Sequence, residues 1–380
     1  MNFQLTPQQE EFVSNIRAFA RKEIAPKAAE VDRTGIFPMD TIRKMAKEGY
    51  MGIPVPRDMG GLGWDTVTYL ASVEEIARCC SSNAVILTVH TSVGTMPILN
   101  FGTDEQIKRW VPSLARGEKI GAFALTEAGA GSDASAVATR AVSDGDGWIL
   151  NGTKIFITNG GECNLAVVVA STEPEKKHRG LTAFVVDREM DGFKVGAREK
   201  TMGMKGSITS ELIFEDVKVG PEHVLGGLGN GFRVSMETLD GSRMGIGAQS
   251  VGMAQTALDE LVSWARSATV NGKPAIRAQN VQFLIAEMET RIEAARNLVL
   301  TAAATKDAGR PIAGISASSK LFSSEIAMWA ALAATRMMGR EAILRGTAIE
   351  RIYRDAKVTQ IYEGTSEIQK MVISRDVLAR

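Results

Sequence analysis

The chain has 380 residues, too many for one small core and enough for two or three domains. Its 44% hydrophobic and 23% charged residues are ordinary for a globular protein, and a formal net charge of zero argues against nucleic acid or an anionic membrane as the main partner. Three cysteines (Cys79, Cys80, Cys163) make no disulfide framework, the opening Met1–Thr6 lacks a signal peptide's charged and apolar regions, and no uninterrupted apolar run reaches span length, so a reducing, cytoplasmic setting is expected.

The first region, to about residue 116, reads helical. Thr6-Pro7 is a start signal, a cap followed by proline at the first helical position. From Gln8 to Ile24 the pattern puts Phe12, Ile16, Phe19 and Ala20 on one face, and Pro26 ends it. Helical patterns recur around Thr41–Lys47, Thr66–Ala77 and Asp104–Ala115. The Gly/Pro stretches between them match neither dinucleotide nor nucleotide fingerprints and read as turns. Val85–Val93 suits either core packing or the wall of a pocket.

From about 117 to 226 the character changes. Asp144-Gly145-Asp146-Gly147 is a hairpin signal leading into Trp148-Ile149-Leu150, and Asn151-Gly152 reads as another turn. Lys154–Thr158, Leu165–Ala170, Leu181–Val186 and Glu211–Phe214 are further β-rich runs. No helical pattern separates them, so an antiparallel barrel or sandwich is expected rather than a parallel sheet.

From Gly231 the helical pattern returns in long runs, Gln249–Arg266, Ala278–Ala308 and Ile315–Met338, with Asp307–Pro311 as a stop and turn. Long antiparallel helices pack as a bundle, and their methionines (Met253, Met288, Met328, Met337, Met338) read as core filling.

The last informative stretch runs from Arg354 to Gln369. Ser366 and Gln369 have capping-box spacing, and Gly364 frees the backbone before that cap. Glu363 would therefore be presented at a helix entrance, where it serves either as a general base or simply as an acid favoured by the helix dipole. His90, His178 and His223 are scattered without zinc-site spacing, and there is no nucleophile elbow, P-loop or Rossmann fingerprint. Gly129-Ala130-Gly131-Ser132-Asp133 offers successive N–H groups and a hydroxyl to a carbonyl or phosphate, or is an ordinary β-domain turn.

Four separated motifs now stand in order: Leu125-Thr126-Glu127 with Gly129–Asp133, Lys154–Gly160, Leu239–Arg243 and Arg354–Gln369. Through them nearly the whole chain resembles the acyl-CoA dehydrogenase family. The resemblance implies an α+β multidomain fold: an N-terminal helical domain (1–116), a middle antiparallel β-barrel (117–226) and a C-terminal four-helix bundle (227–380). It implies FAD held between barrel and bundle, and dehydrogenation of a saturated acyl-CoA to the trans-2-enoyl-CoA. In that reading Glu363 takes the α-proton while the β-hydrogen leaves as hydride to flavin N5. The Glu363 backbone N–H and a ribityl hydroxyl then polarise the thioester carbonyl.

The FAD contacts carried over are Leu125, Thr126, Gly131, Ser132, Phe156, Thr158, Thr365 and Glu367. Thr126 and Thr158 would bond the flavin ring, Phe156 would pack on it, Ser132 would touch the flavin phosphate and CoA, and Thr365 and Glu367 would lie near the FAD phosphates and ribose. Ser132, Asp240, Arg243, Tyr362 and Gly364 would face substrate. Ser242 fills the slot where some relatives carry the base. Serine cannot do that work unaided, so Glu363 is the base the match offers, and short, medium or short-branched acyl chains of fatty acid metabolism are expected. Electron-transferring flavoprotein is the implied acceptor.

Two motifs depart from the family. Ala268 and Asn271 stand where relatives carry an Arg and a Phe that reach a neighbouring subunit's FAD, and Arg336 and Arg340 stand where an amide and a glycine are usual. Three arrangements follow. Arg336 or Arg340 replaces the missing cation in a homotetramer, a second family member lends the missing groups in a heterotetramer, or the chain is a flavin-deficient CoA-thioester binder or non-redox lyase.

Overall fold

The computed structural model describes residues 5–270 and 272–379. Asn271 and the first four residues of the opening stretch lie outside the described residues. Helix α1 (Pro7–Phe19) starts at the expected place because Thr6 and Gln9 close a capping box. It does not stop at Pro26. A π-turn (Ala20–Ile24) and a 3-10 turn (Ala25–Lys27) carry it into α2 (Ala28–Thr34), proline sitting in the first turn, where its missing N–H costs nothing. Then come α3 (Met39–Lys47), α4 (Thr66–Cys79), α5 (Ser81–Val89), a π-turn over His90–Thr95, α6 (Met96–Phe101) and α7 (Asp104–Ala115). By length and composition residues 81–101 would suffice to cross a membrane, although Ser82, Asn83, His90 and Thr91 break the apolar run. Of that window, 72% is buried inside the protein, which makes it a core helix.

The middle region is one eight-stranded sheet in the order β6-β7-β3-β2-β4-β5-β8, with β1 on β4. Its strands are β1 (Gly121–Ala124), β2 (Arg140–Asp144), β3 (Gly147–Thr158), β4 (Leu165–Ser171), β5 (Leu181–Asp187), β6 (Phe193–Arg198), β7 (Thr209–Val219) and β8 (Val224–Leu225). Most pairings are antiparallel, as expected; β1–β4 and the single β2–β4 bridge are parallel. The turn expected at Asn151-Gly152 is not one. β3 runs straight through it, and the extra residue is absorbed as a bulge against β7.

The chain then returns to helices: α8 (Gly231–Ser267), a two-strand hairpin of β9 (Thr269–Val270) and β10 (Lys273–Pro274), α9 (Gln279–Asp307), α10 (Ala313–Met338), α11 (Ala348–Ala356) and α12 (Ser366–Leu378). Helix α8 is 37 residues long and starts well before the expected Gln249. Its glycines are close-approach points, not breaks. A Cβ at Gly252 would lie 2.5 Å from the Glu74 carbonyl, so glycine lets α4 press against α8.

One large apolar core joins the N-terminal helices to α8, α9 and α10, and two others cover the faces of the sheet. A fourth, with Val85, Val89, Val93, Met253 and Ala327 around Phe123 and Tyr362, sits where helices and sheet meet. Val85–Val93 is thus mainly core. The functional loop lies over this junction.

Candidate active site

The stretch from Arg354 to Gln369 divides into an anchor and a presented loop. Arg354 closes α11 with a two-pronged ion pair to Asp32 (2.8 and 2.6 Å) and a second to Glu350 (2.6 and 2.8 Å). Asp355, fully buried, accepts the Met204 backbone N–H, and burial pushes its carboxyl up to about 6. These contacts tie the loop to the first helical region and to the sheet before the chain turns.

The turn itself is made by two residues in left-handed conformation, Glu363 (φ 52°) and Gly364 (φ 91°). The first is unusual for a side chain that carries a Cβ. The Gln369 amide spans the turn, donating to Glu363 O at 3.1 Å and Gly364 O at 2.8 Å. A Cβ at Gly364 would sit 2.6 Å from that amide, so glycine is required twice over. The expected Ser366 cap is corrected here. Thr365 has the extended backbone of a cap and accepts the Ile368 N–H, while Ser366 is the first helical residue and its hydroxyl donates to Glu325 at 3.0 Å.

Both Glu363 carboxylate oxygens are shut off from solvent, and among the described residues neither has a hydrogen-bond partner. Ser242 lies beside the carboxylate, but its hydroxyl donates to Leu239 O at 3.2 Å. Burial pushes the Glu363 carboxyl up to about 7, opposed by Ser242 and by the charges of Lys320 and Arg243. A carboxylate poised near neutrality, with its lone pairs unspent, is chemically a proton acceptor in waiting.

Around it, α8 supplies Arg243, buried and paired with the half-buried Asp240 one helical turn earlier. Its Nε has no partner among the described residues. Read alone, this arginine would be a solvated surface charge; the structure buries it. Tyr362 donates from its hydroxyl to Gln249 Oε1 at 2.5 Å, and the Gln249 amide in turn donates to Ser81 O at 3.0 Å.

A second group gathers on the sheet. Lys154, wholly buried, donates to Leu125 O (3.0 Å) and to Glu127 (2.7 Å). Glu127 also accepts from Ala138 N, Thr139 N and the Thr139 hydroxyl. Ile155 N donates to Thr126 O at 2.9 Å. The segment Leu125–Glu127 is thereby fastened to β3 next to Phe156 and Thr158. At Phe156 the β3–β7 register shifts and φ reaches 55°, which leaves the ring 58% exposed. The Thr126 and Thr158 hydroxyls have no partner among the described residues, and beyond them Gly131 and Ser132 lie on an exposed loop.

The two groups meet through the apolar cluster that contains both Phe123 and Tyr362. Ser132, Thr365 and Glu367 stand at the periphery, Glu367 exposed in the first turn of α12 beside the Thr365 hydroxyl. Sequence reading missed Lys320, Gln249 and the Lys154–Glu127 pair. One signal was available: Lys320 and Glu325 are the two charges in an otherwise small and apolar run from Ala313 to Thr335.

The acyl-CoA dehydrogenase N-terminal, middle and C-terminal domain families match residues 6–118, 122–217 and 229–378. A short-chain-specific acyl-CoA dehydrogenase of Clostridium acetobutylicum is 42% identical over 98% of this chain and 99% of its own. The three-dimensional structure of butyryl-CoA dehydrogenase from Megasphaera elsdenii superposes with a TM-score of 0.98 at 39% identity, covering 100% of both chains. A chain from work on the electron-transferring flavoprotein of Acidaminococcus fermentans and flavin-based electron bifurcation gives 0.98 at 41% identity, again covering 100% of both.

Proposed function

The chain belongs to the acyl-CoA dehydrogenase family, and we propose that it oxidises a saturated short-chain acyl-CoA to the trans-2-enoyl-CoA with Glu363 as the base. The observation that carries this reading is the buried carboxylate on a left-handed turn, without a hydrogen-bond partner among the described residues and pushed up to about 7. The thioester's α-proton is the group it takes. A thioester seated over the loop keeps water from the carboxylate and makes it a stronger base at the moment of transfer. In this reading the Glu363 backbone N–H polarises the thioester carbonyl and acidifies that carbon. Tyr362, fixed by Gln249, walls the pocket, and Arg243 with Asp240 faces the CoA side.

Members of the family are FAD-dependent, and this chain's residues fit the cofactor. Two unengaged threonine hydroxyls, Thr126 and Thr158, flank an aromatic ring that the β3 bulge turns outward. The nearby loop has glycines, Gly129 and Gly131, against which an added Cβ would meet nothing. Leu125, Thr126, Gly131, Ser132, Phe156, Thr158, Thr365 and Glu367 would hold it. When bound, FAD supplies the hydride acceptor for the β-hydrogen.

The same reading extends to the assembly. Electron-transferring flavoprotein is the proposed acceptor, supported by the similarity to the Acidaminococcus fermentans chain. A cytoplasmic homotetramer with one FAD per subunit is the proposed form, divided at 1–116, 117–226 and 227–380. An absorbance spectrum of the purified protein, titrated anaerobically with acyl-CoAs of increasing length, tests it. The expected result is one oxidised flavin per subunit, bleached most readily by a four-carbon acyl-CoA. Flavin-free protein, or a flavin indifferent to every acyl-CoA, contradicts it.

A further inference from the structure

Lys320 has entered so far only as a charge near Glu363, yet the fold spends a buried ammonium on it. The side chain is wholly buried in the middle of α10, and its Nζ donates to Gly364 O at 2.6 Å. That carbonyl belongs to the residue directly after Glu363. The Gln369 amide also donates to it, at 2.8 Å, from α12. Two donors from two different helices thus converge on one carbonyl at the centre of a turn whose two residues both have positive φ. A turn of that kind persists only when its surroundings over-determine it. An isolated ammonium in such a place is costly unless an opposite charge offsets it.

We propose that Lys320 is the positioning residue of the base: its ammonium pins the Gly364 carbonyl from beneath and, as the positive charge facing Glu363 from α10, sets both the aim and the protonation of that carboxylate. The inference rests on the reading of Glu363 as the α-proton acceptor.

The charges around the pair are few. Arg243 faces it from α8, Glu363 from the loop, Glu367 from the start of α12 and Glu325 from α10 itself; the Tyr362 and Tyr69 hydroxyls feel Glu363 as neutral neighbours. Burial pulls the ammonium down to about 8, with Glu363 the strongest influence holding it up. With the carboxyl near 7 and the ammonium near 8, both groups are charged together chiefly between those two values. Removing the lysine charge leaves the carboxylate with Arg243 alone as a favourable ion, and its proton affinity rises.

The test is α-proton exchange, which needs the base but no net oxidation. In D2O the α-C–H bond breaks, the proton passes to a Glu363 oxygen, the electron pair stays on the enolate, and a deuteron returns to the same carbon. Deuterium incorporation into butyryl-CoA is followed by mass spectrometry against pD, with the flavin-loaded wild type, Lys320→Gln and Lys320→Met. Lys320→Gln keeps a donor without the charge; Lys320→Met removes both.

Both variants should move the acidic limb of the exchange profile upward by on the order of one unit, the size of a close opposite charge. The plateau should fall about tenfold further in Lys320→Met than in Lys320→Gln, because only methionine releases the Gly364 carbonyl. Wild-type midpoints and plateaus in either folded variant overturn the proposal. An equal plateau loss in both with an unmoved limb also overturns it, since that is the signature of a merely structural lysine. Absence of exchange in the wild type would instead refute Glu363 as the base, so the two failures are distinguishable. Should Lys320→Met fail to fold, the limb of Lys320→Gln still decides.

Discussion

At the scale of single residues, Glu363 is a carboxylate that the fold makes uncomfortable. It has a backbone conformation few non-glycine residues adopt and oxygens that no donor among the described residues satisfies. Both features cost stability, and pH reads out the second. From about 4.5 to about 7 the unfolded chain has released this proton while the folded chain still holds it, so folding stability falls as pH rises through that window. The loss is on the order of 3 kcal/mol for a shift of this size. Glu363→Gln carries no such penalty. Thermal melts of the substrate-free protein should coincide for the two at pH 4.5 and separate at pH 8, with the variant the more stable. Coincident melts at pH 8 would mean that the carboxylate is well solvated.

At the scale of elements, the Lys154–Glu127 pair shows what holds the sheet side of the site. Both residues are buried, and together they fasten the end of β1 to β3. Lys154→Met leaves Glu127 without its cation and should cost about 3–5 kcal/mol. Denaturant unfolding checks that figure, and a lowered flavin-to-protein ratio on purification should accompany it; unchanged values in both would remove the pair from the account. Such pairs show where sequence reading runs out. Local pattern found α7 to the residue, because Thr103 and Gln106 cap it, and found β4 and β5, because they are short apolar runs between turns. It placed the start of α8 some eighteen residues late, because small residues there serve contact with α4 and α5 rather than an amphipathic stripe. It made Asn151-Gly152 a turn because it cannot see the β7 partner that keeps β3 extended. Glu363 stands inside a recognisable motif, whereas Lys320 donates to a carbonyl 44 residues away, a contact that its charge in an apolar run does not reveal.

At the scale of the whole molecule, helices and sheet cooperate through one junction. Asp32, Met204, Arg354 and Asp355 bind the first helical region, the sheet and α11 to the loop, and the cluster around Phe123 and Tyr362 fills the space beneath it. The four sequence motifs, far apart in the chain, fall on either side of that junction, so their order was informative although their contacts were not. Arg336 and Arg340 have exposed side chains at the end of α10. On the proposed function, one buried carboxylate faces the acyl-CoA across this junction and removes its α-proton. Anaerobic rapid mixing of flavin-loaded wild type and Glu363→Gln with butyryl-CoA tests it most directly. The wild type should bleach rapidly, and the variant should keep its flavin and its CoA binding while bleaching at least about a thousandfold more slowly. Bleaching at an undiminished rate in Glu363→Gln would contradict it.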